Sequence, residues 1–366
     1  MDLAERWRNQ LDKLRGQHRL RMLQIGQGVD FSSNDYLGYA KLPTSPLMDY
    51  SHSGAASRLL RGHHAIWDDV ESVLASWHGA EAALVMTSGY VANQGLLSTI
   101  VEPDDWVASD ACNHASIIDG LRLTRAKRHI YPHADLAELE KAIQAAPKQG
   151  ARFIVTESLF SMEGDVPPLA ALIELAERHG AHVIVDEAHA TGCFGSRGGG
   201  LVDALDLRSR VLATVHTGGK ALGVPGAYIC CSTLLKQLLV NRCRHFIFTT
   251  ALPPLIGAWW LGAIERAQED DKARQRLHNN TRLFREELHS REVRTLGEHY
   301  IVPVLLGDDN RTVRAASQLQ VAGFDIRAIR PPTVSEGTAR LRISVHADHD
   351  SDTLRRVAAA VAEFAK

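Results

Sequence analysis

The residues with the most chemistry in them lie in two stretches of the 366-residue chain. VDEAH (185–189) ends an apolar run on Asp186 and places His189 in the loop that follows. TGGKALGVPGA (217–227) carries Lys220 among glycines and small residues, 34 positions after Asp186. Its permissive backbone lets a cofactor approach the lysine closely. A lysine beside a buried carboxylate and a histidine suits Schiff-base chemistry with pyridoxal phosphate (PLP). The lysine forms the imine, and the Asp keeps the pyridine nitrogen protonated so that the ring serves as an electron sink. Ser88-Gly89-Tyr90 follows the apolar run AALVMT (82–87) and opens a helix whose unpaired N–H groups suit a phosphate. Each signal alone is weak. Their order along the chain is specific.

VDEAH also matches the acidic box of a helicase, but that reading needs G-x-x-x-x-G-K-[ST] upstream. The GK pair Gly219-Lys220 lies downstream, with Thr214 where the first glycine belongs and Ala221 where Ser or Thr is required. A metal centre could draw on Asp186, Glu187, His189, His63, His64 and His114. No H-E-x-x-H or similar spaced pair occurs, so no metal is expected. Lys plus Arg number 41 and Asp plus Glu 43, a net charge of −2 that argues against a nucleic-acid partner.

These residues need a scaffold, and the hydrophobic pattern supplies one. Apolar residues make up 45% and charged residues 23%, as in ordinary globular proteins. Strands are predicted at 82–87, 106–110, 152–157, 182–189, 211–216 and 227–232, with helices at 88–100, 114–123 and 167–180 between them. Such alternation of nearly continuous apolar runs with helices predicts an α/β fold. Its mostly parallel central sheet is covered by helices on both faces, with ligands beyond the carboxyl ends of the strands. An amphipathic helix is predicted at 3–15, a short strand and turn at 29–38, a helix at 64–78 and a long helical stretch at 253–291. The remainder reads strand, helix, strand, strand, helix. The expected domains are an N-terminal segment (1–50), a large cofactor domain (51–291) and a small α+β domain (292–366). Cys112, Cys193, Cys230, Cys231 and Cys243 form no C-x-x-C pair and are expected to be reduced. The opening MDLAERWRNQLDKLRG has no apolar stretch, and the run 249–264 is broken by Pro253 and Pro254 and falls short of a span. A soluble cytoplasmic protein with no membrane partner is expected.

At this point the motifs carry a resemblance. FSSNDYLG (31–38), SRLLRGHH (57–64), TSGYVAN (87–93), NHASIIDG (113–120), TESLFSMEGD (156–165), VDEAHATG (185–192), TGGKALGVPGA (217–227), FTTALPP (248–254) and IRPPTVSEGTARLRIS (329–344) resemble the α-oxoamine synthases, fold-type-I PLP enzymes. The likeness runs from about residue 5 to the C-terminus. The resemblance implies decarboxylative condensation of an amino acid with an acyl thioester. The paired prolines point to the branch that joins L-alanine to a pimeloyl thioester, on CoA or acyl carrier protein, in biotin biosynthesis. The alternative is a sister enzyme using glycine or serine with another acyl-CoA.

By motif, the resemblance implies that Lys220 holds PLP and moves the Cα proton. Asp186 would face the pyridine nitrogen, His189 the phenolic oxygen and His114 the ring face. Gly89 and Tyr90 would lie beside the phosphate, with Ser161 and Thr217 also binding the cofactor. Thr249 or Thr250 would reach the phosphate of a neighbouring subunit, since the family's sites form at a homodimer interface. Arg342 with Asn34 would hold the amino-acid carboxylate, and Thr333 and Arg21 would contact substrate. Of the alternating Arg340 and Arg342, one could be solvated. Glu157 is a candidate for orienting active-site groups, Glu163 is expected to be solvated, and Cys193 is expected to be structural.

The chain departs from the family pattern in three places. SGAAS (53–57) replaces a glycine-rich run, and the stretch from Tyr36 to Ser57, with Ser45 and Pro46 inside it, is short. Gly218 stands where relatives carry a larger residue. An anionic thioester carrier would need a local basic patch, and Arg15, Arg19 and Arg21 are the candidates.

Overall fold

A computed structural model describes residues 2–42 and 50–365. In chain order the first elements are α1 (Leu3–Gly16), β1 (Val29–Asp30), α2 (Ala65–His78), β2 (Ala82–Met86), α3 (Gly89–Ile100), β3 (Trp106–Asp110), α4 (Ala115–Arg122), β4 (Lys127–Tyr131) and α5 (Leu136–Gln144). There follow β5 (Arg152–Glu157), α6 (Leu169–Arg178), β6 (His182–Asp186), α7 (Leu201–Ala204), β7 (Ala213–Thr217), β8 (Ala227–Cys231), α8 (Thr233–Arg242), α9 (Arg244–Ile247), α10 (Pro254–Glu269) and α11 (Asp271–His289). The chain ends with β9 (Ile301–Gly307), α12 (Asp309–Val321), β10 (Phe324–Asp325), β11 (Arg327–Ile329), β12 (Ala339–Ser344) and α13 (Ser351–Ala365). No helix among the described residues is long and apolar enough to cross a membrane.

The residues divide into two units: 37–160 with 166–274, and 1–36 with 161–165 and 275–366. These limits differ from boundaries at 50 and 291. The N-terminal segment joins the C-terminal elements because β1 pairs with β10 in parallel, Val29 beside Phe324. Most of α11 goes with them, and the predicted long helix is two, interrupted at Asp270, whose carboxylate caps Ala273 at 2.8 Å.

The larger unit holds a seven-stranded sheet in the order β2-β8-β7-β6-β5-β3-β4. Every pairing is parallel except those of β8, which runs antiparallel to β2 and β7. The central strands are buried, except for His182 at the start of β6, which is why they read as nearly continuous apolar runs. Their two faces are covered by separate apolar clusters. One joins Leu96, Ile117, Ile184 and Val215, and others centre on Trp67 with Trp260 and on Tyr131 with Leu172. The smaller unit holds a three-stranded antiparallel sheet, β11-β12-β9, whose central strand is wholly buried.

Candidate active site

In the larger unit the site is built at the carboxyl ends of neighbouring strands. β6 is made extended by the run His182-Val183-Ile184-Val185 and delivers Asp186, 6% exposed, at its last position. Asp186 Oδ1 accepts the Ala188 N–H at 2.8 Å, and Oδ2 accepts an amide proton from Asn93 at 2.7 Å. β7 ends at Thr217 and hands over to the glycine loop that carries Lys220. The Lys220 amine lies 2.9 Å from His189 Nε2. Ser88 caps α3, its hydroxyl accepting the Val91 N–H at 3.2 Å. A Cβ placed on Gly89 would stand 3.7 Å from Thr217 Cβ, so the start of α3 abuts the end of β7.

His114 caps α4. Its Nδ1 accepts the Ser116 N–H at 3.2 Å, and its own backbone N–H donates to the buried Glu157 at 2.6 Å. Partial burial pulls the imidazole below its usual range, opposed by the Asp186 charge and reinforced by Lys220. Lys220, His189, Asp186 and His114 are thus brought together. Tyr90 sits edge-on to His114 at 6.0 Å, but its hydroxyl donates to Asp119, which raises the phenol above its usual range. Only its backbone remains for a phosphate. Thr217 Oγ1 donates to the Gly226 carbonyl at 3.3 Å. Thr249 and Thr250 line a small cleft with Arg58, Trp67 and Phe246.

This donor set fits PLP. It offers a primary amine, a carboxylate whose two oxygens each keep a lone pair for a protonated ring nitrogen, an imidazole beside the amine, and a capped helix start for phosphate. Gly218 is explained by packing: a Cβ there would lie 2.4 Å from the Val224 carbonyl and 2.5 Å from the Trp260 ring. Trp260 fills the space a larger residue would occupy.

In the smaller unit, Arg342 on β12 is 6% exposed. Its Nε donates to the Ser161 carbonyl at 2.6 Å, Nη1 to Ser344 Oγ at 2.9 Å, and Nη2 to Asn34 Oδ1 at 2.9 Å and Tyr36 Oη at 3.3 Å. All four partners are neutral, and among the described residues no carboxylate pairs with it. Arg340 is not solvated as one of the pair could be. It is 5% exposed and ion-paired with Glu163 at 3.2 Å, which also corrects the expectation that Glu163 is solvated. Ser161 meets Arg342 through its backbone. Arg21 and Thr333 meet each other, Nη2 to Oγ1 at 2.9 Å. The basic patch shrinks: Arg15 pairs with Asp12, and Arg19 with Asp309 at 2.6 Å and with Glu336. Ser45 and Pro46 lie outside the described residues.

Sequence reasoning missed Asn93 and Ser116 as site residues. Asn93 is 2% exposed within the apolar face of α3, beside Ala92, Leu96 and Leu97. An amide on such a face was the available signal.

The aminotransferase class I and II family model matches residues 27–361. The chain is 44% identical over 333 residues to 8-amino-7-oxononanoate synthase of Chlorobaculum parvum, covering 87% of this chain and 85% of that one. It is 40% identical over 344 residues to the synthase of Trichlorobacter lovleyi, covering 92% and 88%. Among solved structures, serine palmitoyltransferase from S. paucimobilis with a bound PLP–myriocin aldimine superposes with a TM-score of 0.91 at 27% identity, over 100% of this chain and 98% of that one. The 8-amino-7-oxononanoate synthase of Francisella tularensis superposes with a TM-score of 0.77 at 27% identity, over 92% and 97%.

Proposed function

The chain belongs to the 8-amino-7-oxononanoate synthases, PLP-dependent acyltransferases within the aminotransferase class I and II family, and on that premise we propose its substrates and the roles of its residues. It joins L-alanine to a pimeloyl thioester, on CoA or acyl carrier protein, and releases CO₂ and free thiol to give 8-amino-7-oxononanoate for biotin. The observation that carries this is the Lys220 amine 2.9 Å from His189, beside an Asp186 carboxylate held on both oxygens.

Lys220 holds PLP, Asp186 receives its ring nitrogen, His189 its phenolic oxygen and His114 its ring face. The start of α3, with Gly89, Tyr90 and Thr217, receives the phosphate, and Ser161 is a further cofactor-binding residue. When bound, PLP supplies an electron sink for negative charge at the substrate's α-carbon. Lys220 Nζ takes and returns the Cα proton, and His189 sets the orientation of that amine. Arg342 holds the alanine carboxylate with Asn34 alongside, a task its neutral partners leave it free to perform. Arg21 and Thr333 meet the acyl donor. The active form is a cytoplasmic homodimer in which Thr249 or Thr250 reaches the partner's phosphate. The half-exposed stripe Leu3, Trp7 and Leu11 on α1 supports an apolar contact of that kind.

The test is product mass after incubation with PLP, pimeloyl-CoA or pimeloyl carrier protein, and either alanine or glycine. Condensation with alanine is expected. Turnover with glycine or serine but not alanine overturns the substrate reading and favours a sister synthase. Borohydride reduction followed by peptide mapping should place PLP on Lys220, and a wild-type label found on another lysine refutes its role.

A further inference from the structure

We infer that Asn93 and Ser116 are positioning residues that lock His114 as the neutral imidazole with its proton on Nε2, and that one amide ties this lock to Asp186. The inference rests on the PLP reading of the site and adds to it the form in which His114 meets the cofactor.

The polarity of the chain of hydrogen bonds follows from its two ends, a carboxylate and a ring nitrogen that takes a backbone N–H. Asp186 Oδ2 is 2.7 Å from the Asn93 amide nitrogen, and a carboxylate only accepts. Asn93 therefore turns its NH₂ group toward Asp186, and its second proton goes to Ser116 Oγ at 3.0 Å. Ser116 Oγ takes the Asn93 proton on one lone pair, and because His114 Nδ1 already accepts a backbone N–H, the one hydroxyl proton of Ser116 goes to that nitrogen at 2.8 Å. The Ser116 backbone N–H also donates to Nδ1, at 3.2 Å. Two donors on one ring nitrogen leave no place for a proton there. Asn93 and Ser116 are 2% and 0% exposed, so water offers no substitute.

The neutral ring must then carry its proton on Nε2, and His114 serves as a hydrogen-bond donor from that atom and not as a base. Charging the ring requires a proton on Nδ1, which reverses the Ser116 hydroxyl and sets that proton against the Ser116 backbone N–H. The groups around His114 that bear on its titration are Asp186, Lys220, Glu157 on its backbone N–H and Tyr90 at the ring edge.

The experiment is ¹⁵N NMR of the His114 ring in the full chain, with and without PLP, across pH 5–8. Wild type should show an unprotonated Nδ1 and a protonated Nε2 at neutral pH. Ser116→Ala keeps the backbone donor and removes the hydroxyl, and should raise the His114 midpoint by about half to one pH unit, one hydrogen bond to the neutral form. Asn93→Asp replaces the donor with an acceptor, turns the Ser116 hydroxyl away and should raise the midpoint by more than about one unit. Ser116→Ala alone decides the matter if Asn93→Asp does not fold. A wild-type ring protonated on Nδ1, or a midpoint unmoved in Ser116→Ala, overturns the lock. Failure of wild type to bind PLP would overturn the cofactor reading instead, and the spectra without PLP keep the two failures apart.

Discussion

Replacing Arg342 by lysine should separate carboxylate recognition from chemistry. The guanidinium is buried on neutral partners, the Ser161 carbonyl, Ser344, Asn34 and Tyr36, so its charge is unspent within the smaller unit. Lysine keeps the charge but loses the planar fork that grips a carboxylate with two N–H groups. One charge-assisted bond to the substrate is then lost, about 1.5–3 kcal/mol, which weakens alanine binding by roughly 10- to 150-fold. Initial rates at saturating pimeloyl thioester should show that rise in the KM for alanine, with kcat changed much less and the thioester KM unmoved. Arg340→Lys is the control. Arg340 is already neutralised by Glu163 at 3.2 Å, so its conservative variant should leave the alanine KM within about twofold. Losing a bond to Ser161, Ser344 or Asn34 costs about 1–3 kcal/mol of stability, and a thermal melt of each variant confirms that the rates are read on folded protein. An unchanged alanine KM in Arg342→Lys, or an equal rise in Arg340→Lys, would refute the reasoning.

Gly218→Ala places a methyl group 2.4 Å from the Val224 carbonyl and should destabilise the fold by about 1–3 kcal/mol, seen as a lower Tm. Adding Trp260→Leu removes the ring at 2.5 Å but not the carbonyl, so it should not restore stability. Acid should unfold the protein through buried histidines. Burial pulls His78 down to about 3, His349 down to about 4, and His216 well below its usual value. The native state keeps them neutral where the unfolded chain, at about 6.5, takes protons, so their stabilisation is full above that pH and is lost as pH falls. Glu187, pushed up to about 7 by burial, has the opposite sign: its contribution is full below the ordinary 4.5 and is lost as pH rises through 7. Three histidines outweigh one carboxyl between 4.5 and 6.5, so the urea midpoint should fall as pH is lowered across that range. His349→Gln should flatten the slope by up to about 1.4 kcal/mol per pH unit, and an unchanged slope would show that this histidine takes no part.

Most of the larger unit was legible in the sequence because a parallel sheet covered on both faces leaves continuous apolar runs. β3 and β5 carry them, and the predicted 106–110 and 152–157 coincide with the observed strands. β4 was not legible. Its KRHIY lies at the sheet edge, four of its five residues outside the core, and carries no apolar run. The direction of β8 was hidden for a different reason: its AYICC is buried like its neighbours, and burial does not record polarity. The break at Asp270 left no proline or glycine in the helical pattern, only a capping carboxylate.

The sequence by itself pointed to the cofactor chemistry, because Lys220, Asp186 and His189 follow particular strands, and strand order, turn glycines and motif spacing are properties of the chain. Tertiary structure decided what those residues do with their protons and charges. It separated Arg342 from Arg340 by giving only the latter a carboxylate, and it spent the Tyr90 hydroxyl on Asp119. It also strung Asp186, Asn93, Ser116 and His114 into one line of hydrogen bonds. These outcomes depend on distances between residues up to 177 positions apart, and local pattern carries no information about such distances.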